Sequence, residues 1–319
     1  MMNIDKLTGL GVALATPFLP ASGPEDAGAV DIPAYRRLVR YVAAGGADFL
    51  VVLGSTGEGA TVLEAERDAL FAAAREEAGG LPVVLGTGHN STAQAAVLAA
   101  NAARLGADAI LVVTPYYNKP QIAGLEAHFR AVAAAAPGMP IIVYNVPGRT
   151  GLNLLPKDLA RLWANPQVVA VKESSGNLAQ IGEIARTLPE GKLLLSGDDG
   201  LALPAIAVGA SGLVSVVGNV LPAETKALVD AALAGRRDEA RSLHYRLLPV
   251  IDALFLETNP APLKAALEIA GICSGALRLP LARVSEATRN RLAEVLSPFG
   301  LPRKGAMGTG PAPASRKDI

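Results

Sequence analysis

Apolar residues gather along the chain in short, continuous runs. They lie at residues 11–15, 49–53, 83–85, 109–113, 141–144, 168–171, 193–195 and 213–217, and are rich in Val, Ile and Leu. Each is too short for a helix and too uniformly apolar for a strand with one wet face. The pattern predicts parallel strands buried on both sides. Between the runs, apolar residues recur every three to four positions with charged residues opposite, which predicts helices. In residues 32–44, Tyr35, Leu38, Val39 and Val42 share one face, and Arg36, Arg37 and Arg40 the other. Residues 63–78, 92–105, 124–135, 156–163 and 178–187 follow the same rule. Asp31, Ser91-Thr92 and Asn177 stand where helix N-caps belong.

A weak repeat marks the joints. Gly46-Ala47-Asp48, Gly106-Ala107-Asp108 and Gly209-Ala210-Ser211 each precede an apolar run. A helix ending at Gly just before a strand is what a repeated β/α unit needs. Eight such units fit an α/β fold, a (β/α)8 TIM barrel of about 250 residues. We expect this barrel over residues 1–235. A C-terminal helical extension is expected over residues 236–301, with helices at 241–256, 262–270 and 285–296. Residues 302–319 are rich in Gly, Pro, Ala and basic residues, lack periodicity, and read as a disordered tail. A doubly wound open sheet is the structural alternative, but its glycine-rich fingerprint is absent from residues 9–22.

Composition narrows the chemistry. Lys+Arg and Asp+Glu are each 29, so the net charge is zero, which argues against nucleic acid or an anionic membrane as partner. No apolar run is long enough to span a bilayer, and residues 1–10 carry no signal-like apolar core. One Cys and three His exclude a disulfide framework and a Cys-rich zinc site. A reducing, cytoplasmic setting is the simplest expectation. His89, His128 and His244 read as exposed or locally bonded, and Cys273 as an apolar filler. Lys, Tyr, hydroxyls, Arg and carboxylates remain as candidates for chemistry.

In a barrel, chemistry sits at the C-terminal ends of strands. There stand Gly54-Ser55-Thr56-Gly57-Glu58, Tyr116-Tyr117-Asn118, Tyr144, the Arg149 loop, Lys172-Glu173 and Ser196-Gly197-Asp198-Asp199. A buried amine, as expected of Lys172, favours its neutral form and can attack a ketone to form a Schiff base. A structural pairing with Glu173 or Asp198 is the alternative. Tyr144 ends the preceding strand, where a phenol can shuttle protons, or else fill the core. Ser55 and Thr56 lie on a glycine-flanked turn that suits a carboxylate or phosphate, or that caps a helix. Arg149, bracketed by Gly148 and Gly151, suits capture of a carboxylate. Tyr116 and Tyr117 suit an interface or a packed loop anchor. Asp198-Asp199 lacks the neighbours a metal site needs, and Asp199 is expected to cap the next helix.

Together, residues 54–58, 116–120, 144–151, 172–176, 196–199, 257–264 and 277–281 resemble the dihydrodipicolinate synthase family, within the wider N-acetylneuraminate lyase superfamily. The resemblance runs over residues 10–299. Tyr116-Tyr117-Asn118-Lys119-Pro120, the Arg149 loop and Thr258-Asn259-Pro260-Ala261-Pro262 point to the synthase branch. It implies Lys172, Tyr144, Ser55 and Tyr117 as catalytic residues. Tyr117 would reach a neighbouring subunit's site, so a homo-oligomer, dimer or tetramer, is implied. Thr56 and the backbone at Val214 would hold pyruvate, Arg149 the carboxylate of aspartate semialdehyde, and Gly197 would be a further substrate-binding residue. No cofactor and no metal is implied.

Lysine-inhibited members tend to carry polar or His side chains after the Gly-Glu turn. Here stand Gly59, Glu64 and Arg67, with Gln94 where an acid is common, although Asn90 and Tyr116 are retained. Weak or absent lysine inhibition is the expectation. A related 2-oxo-acid aldolase or dehydratase, and a non-catalytic ligand-binding paralogue, stay open as alternatives.

Overall fold

A computed structural model describes residues 4–20 and 28–301. Eight parallel strands close into a barrel in chain order, with the first paired to the last. They are β1 (Gly9–Ala13), β2 (Phe49–Val52), β3 (Val83–Gly86), β4 (Ala109–Val113), β5 (Ile141–Asn145), β6 (Val168–Glu173), β7 (Leu193–Ser196) and β8 (Gly212–Ser215). All eight expected strands form, and the fold is a TIM barrel. The expected β1 and β8 runs extend two residues too far at their ends, because apolar residues there continue into buried loops.

Helices α1 (Ile32–Ala44), α2 (Glu64–Glu77), α3 (Thr92–Leu105), α4 (Ile122–Ala135), α5 (Pro147–Thr150), α6 (Pro156–Leu162), α7 (Leu178–Thr187), α8 (Ala202–Ala207) and α9 (Pro222–Leu233) alternate with the strands. Then come α10 (Arg237–Leu254), α11 (Ala261–Ile269) and α12 (Glu286–Leu296). Sequence periodicity did not delimit α8 and α9. The first is very short, and the second is Ala-rich, with little polar contrast between its faces. Asp31, Ser91 and Asn177 cap α1, α3 and α7 through their side chains, as expected. The expected tail, residues 302–319, lies outside the described residues.

Strand alternation builds two apolar layers. Phe49 and Val51 of β2 point into the barrel with Val84, Leu111, Ile142 and Leu195. Leu50 and Val52 point outward into the larger shell between sheet and helices. Gly11 of β1 is needed here, since a Cβ on it would collide with the Phe49 ring. The repeated joint has a use beyond the turn. Gly46 and Gly106 adopt positive φ of 92° and 79°. The following Asp side chains accept hydrogen bonds near the starts of the neighbouring strands: Asp48 from Leu10 N at 2.7 Å and Asp108 from Val83 N at 2.8 Å. Among the described residues, no helix is long and apolar enough to cross a membrane.

Candidate active site

β5 and β6 place the two central residues. Tyr144 and Lys172 are partners in register, so they emerge side by side at the same end of the barrel. Both are 6% exposed, and the Lys172 Nζ lies 4.0 Å from the centre of the Tyr144 ring. Side chains alternate along a strand, so Glu173 faces away from Lys172. Glu173 instead accepts hydrogen bonds from Asn145 Nδ2 at 2.9 Å and Ser175 N at 2.6 Å. Among the described residues, no carboxylate lies within ion-pair distance of Lys172. This disposes of the pairing with Glu173 or Asp198 that position alone left open. Gly197 follows β7 and leaves room for the amine, since a Cβ there would lie 2.7 Å from Lys172 Cε. Burial pushes the Tyr144 phenol up, but the positive charges of Lys172 and Arg149 outweigh it and hold the phenol below its ordinary value. A phenol so placed is a better proton donor to the amine or to a bound oxyanion.

A second group hangs on the turn after β2. Leu53 and Glu58 bracket it with positive φ of 59° and 51°, unusual for non-glycine residues. Such a conformation persists where the surroundings hold it. Thr16 Oγ1 donates to Gly57 O at 2.7 Å. Thr56 Oγ1 accepts from Asn259 Nδ2 at 3.0 Å. The Glu58 carboxylate is paired with Lys264 of α11, and Arg278 N donates to its other oxygen at 3.3 Å. Arg149, expected in a loop, sits in the one-turn helix α5, where its Nη2 donates to Asn259 O at 2.7 Å.

Ser55, Tyr144, Arg149 and Asn259 line one cleft of about 770 Å³. Thr56 joins it through Asn259. Lys172 is not itself in the lining, but its amine lies against the ring of Tyr144, which is. Val214 lies in β8 with its side chain in the barrel interior. Tyr117 is not brought in: it is 88% exposed, with a positive φ of 71°, while Tyr116 lines the cleft.

Two expectations need correction. Asp199 does not cap α8 with its side chain. It is buried, bonded to the Ser215 hydroxyl and to Val216 N, and burial pushes its carboxyl up to about 6. His128 is neither exposed nor locally bonded: it is buried, with Nδ1 3.0 Å from Thr92 Oγ1 on α3, 36 residues away. Asn259 and Lys264 were noticed only as part of a family-like segment, with no role assigned. A buried Pro-rich stretch carrying Asn and Lys was the available signal.

The Dihydrodipicolinate synthetase family model matches residues 6–298. The chain belongs to that family. It is 43% identical over 297 residues to the 4-hydroxy-tetrahydrodipicolinate synthase of Syntrophus aciditrophicus, covering 92% of this chain and 98% of that one. The enzyme of the same name from Thermomicrobium roseum is 46% identical over 292 residues, with 91% and 94% covered. The crystal structure of dihydrodipicolinate synthase from Aquifex aeolicus superposes with a TM-score of 0.88 at 42% identity, covering 93% of this chain and all of the other. This member of the family carries the Lys172–Tyr144 pair and the Ser55–Thr56 turn at the C-terminal ends of its strands.

Proposed function

We propose that the chain is a Schiff-base-forming lyase that condenses pyruvate with L-aspartate 4-semialdehyde to give 4-hydroxy-tetrahydrodipicolinate, in lysine and diaminopimelate biosynthesis. The observation that carries this is the buried, carboxylate-free Lys172 amine beside Tyr144 at the strand ends. The amine attacks the pyruvate ketone, and loss of water leaves an imine. The protonated imine draws electrons, so the adjacent methyl loses a proton and becomes an enamine. The enamine carbon adds to the aldehyde. The amino group of the second substrate then attacks the imine carbon and releases Lys172.

Tyr144, Ser55 and Tyr117 form the proton relay in this reading. Tyr144 is supported by its lowered pKa. Tyr117 acts from a neighbouring subunit, and its exposure supports a dimer or tetramer. Thr56, Gly197 and the Val214 backbone hold pyruvate, and Arg149 takes the aldehyde's carboxylate. A reducing cytoplasm belongs to the same reading. No cofactor is called for, because the lysine is the electron sink.

Borohydride reduction in the presence of pyruvate, followed by peptide mass analysis, tests the reading. It expects an adduct on Lys172, and an unmodified Lys172 overturns it. A coupled assay across several aldehydes then tests the partner. Turnover of aspartate semialdehyde is expected; turnover of other aldehydes alone favours a related aldolase.

A further inference from the structure

The seam between β7 and β8 is the shortest in the barrel. Leu195 pairs with Gly212 and Ser196 with Leu213, so on the β7 side the ladder stops one residue before Val214. On the other side β1 follows β8 further, with Gly11 opposite Val214 and Val12 opposite Ser215. The end of β8 is therefore laddered along one edge alone. A buried carboxylate closes the open edge. Ser215 Oγ donates to Asp199 Oδ1, and Val216 N donates to Oδ2 at 2.9 Å. Ser215 Oγ also accepts from Gly218 N at 2.8 Å. Asn219 carries the same buried chain on to the end of β1, donating to Ala13 O at 2.8 Å and accepting from Ala15 N at 3.0 Å. The Val214 side chain is in the barrel interior, so that of Ser215 points outward. Asp199 thus grips β8 from behind, and neither Asp199 nor Ser215 lines the cleft.

The start of the same loop is anchored beside the reactive amine. Gly197 N donates to Glu173 O at 2.8 Å, and Gly197 packs against the Lys172 side chain. Residues 197–199 therefore join the end of β6 to the end of β8. We propose that Asp199 is a positioning residue for the first substrate: by fastening the end of β8 to the loop that packs on Lys172, it sets how far the Val214 backbone stands from the Lys172 amine. This rests on the synthase reading, in which Gly197 and the Val214 backbone hold pyruvate. A carboxylate suits the task, because both of its oxygens accept and the two donors stand on consecutive residues. An amide of the same shape turns an N–H toward one of those donors, which breaks a bond and lets the strand end shift. Small displacements of a positioning group are costly to a reaction at close quarters.

Asp199→Asn tests this through two constants. The pyruvate concentration that half-saturates borohydride trapping on Lys172 should rise roughly tenfold or more, the size of one hydrogen bond to a charged group. The KM for aspartate semialdehyde, at saturating pyruvate, should stay within about threefold of its unaltered value. A role confined to stability gives fewer folded molecules and a lower rate with both constants unchanged, and that result overturns the proposal. Both constants rising by the same factor also overturns it. Ser215→Ala removes one of the two bonds and leaves Asp199 in place, so it should move the pyruvate constant the same way by a smaller factor. If Asp199→Asn does not fold, Ser215→Ala decides by the same two constants. Trapping on the unaltered enzyme separates the two levels. No adduct on Lys172 sinks the synthase reading itself, whereas an adduct whose pyruvate dependence ignores Asp199→Asn sinks only the role of Asp199.

Discussion

Two lysines are buried among the described residues, one at the end of β6 and one in α11. Lys172 is 6% exposed and Lys264 is 0% exposed. Each amine lies 4.0 Å from the centre of an aromatic ring, Tyr144 for Lys172 and Phe18 for Lys264. By burial and ring contact they are twins. Their charged surroundings separate them. Lys264 is paired with Glu58, and the Arg278 guanidinium sits 4.3 Å from the same Phe18 ring. Lys172 has a phenol and, among the described residues, no carboxylate in ion-pair reach. Burial alone therefore does not make a reactive lysine. An ammonium neutralised by a buried carboxylate is spent on structure, because breaking that pair strands a charge in the interior. An amine beside a hydroxyl has a proton relay and no counter-charge holding it in place.

The comparison can be broken at several points. The largest effect is expected from Lys172→Ala. Loss of the nucleophile should lower kcat by at least roughly a thousandfold, abolish the pyruvate adduct and leave the thermal midpoint little changed. An adduct found on Lys264 in the unaltered enzyme would reverse the two roles.

Lys264→Met is the mirror experiment. Stranding Glu58 should cost about 3–5 kcal/mol in denaturant unfolding, while the folded fraction still traps pyruvate on Lys172. A loss below about 1 kcal/mol, the range of exposed pairs, would show that the buried pair holds little.

His128 sharpens the contrast as a group buried with no ionic partner. Burial, helped by the charge of His89, holds its imidazole down to about 4. The unfolded chain, with an ordinary value of 6.5, takes up the proton first. Stability is thus complete above about 6.5 and is lost as pH falls toward 4, by about 3 kcal/mol at most. Urea midpoints across that window should show the loss, and His128→Gln should flatten it.

The smallest effect concerns a third buried cation. Arg67 donates to the carbonyls of Gly59 at 3.1 Å and Gly86 at 2.6 Å and lines the cleft wall. A fixed guanidinium there disfavours a cationic ligand. Millimolar lysine should leave the steady-state rate unchanged, and strong inhibition would contradict this.

Much of the site was legible before any coordinates. The apolar run at residues 168–171 ends in Lys172, and the preceding run ends in Tyr144. In a parallel barrel, consecutive strands are neighbours, so two strand-end residues must be adjacent. The Ser55–Glu58 turn was legible for the same reason, since it follows directly from β2. Arg149 was placed near the site, but its one-turn helix and its bond to Asn259 were not foreseen.

The chain by itself determined the barrel, the end where chemistry sits, and the Lys172–Tyr144 pair. All three follow from local periodicity and from the fixed order of parallel strands. Only the tertiary structure decided who holds the turn. Thr56 meets Asn259 and Glu58 meets Lys264 across about two hundred residues of sequence. No local period encodes how α10, α11 and the segment carrying Arg278 fold back over the barrel. The same holds for Asp199, which a local rule assigns to a helix cap and which packing instead gives to Ser215. Strand order is set by short-range chemistry, whereas side-chain partners across layers are set by packing of surfaces that meet only once the chain has folded.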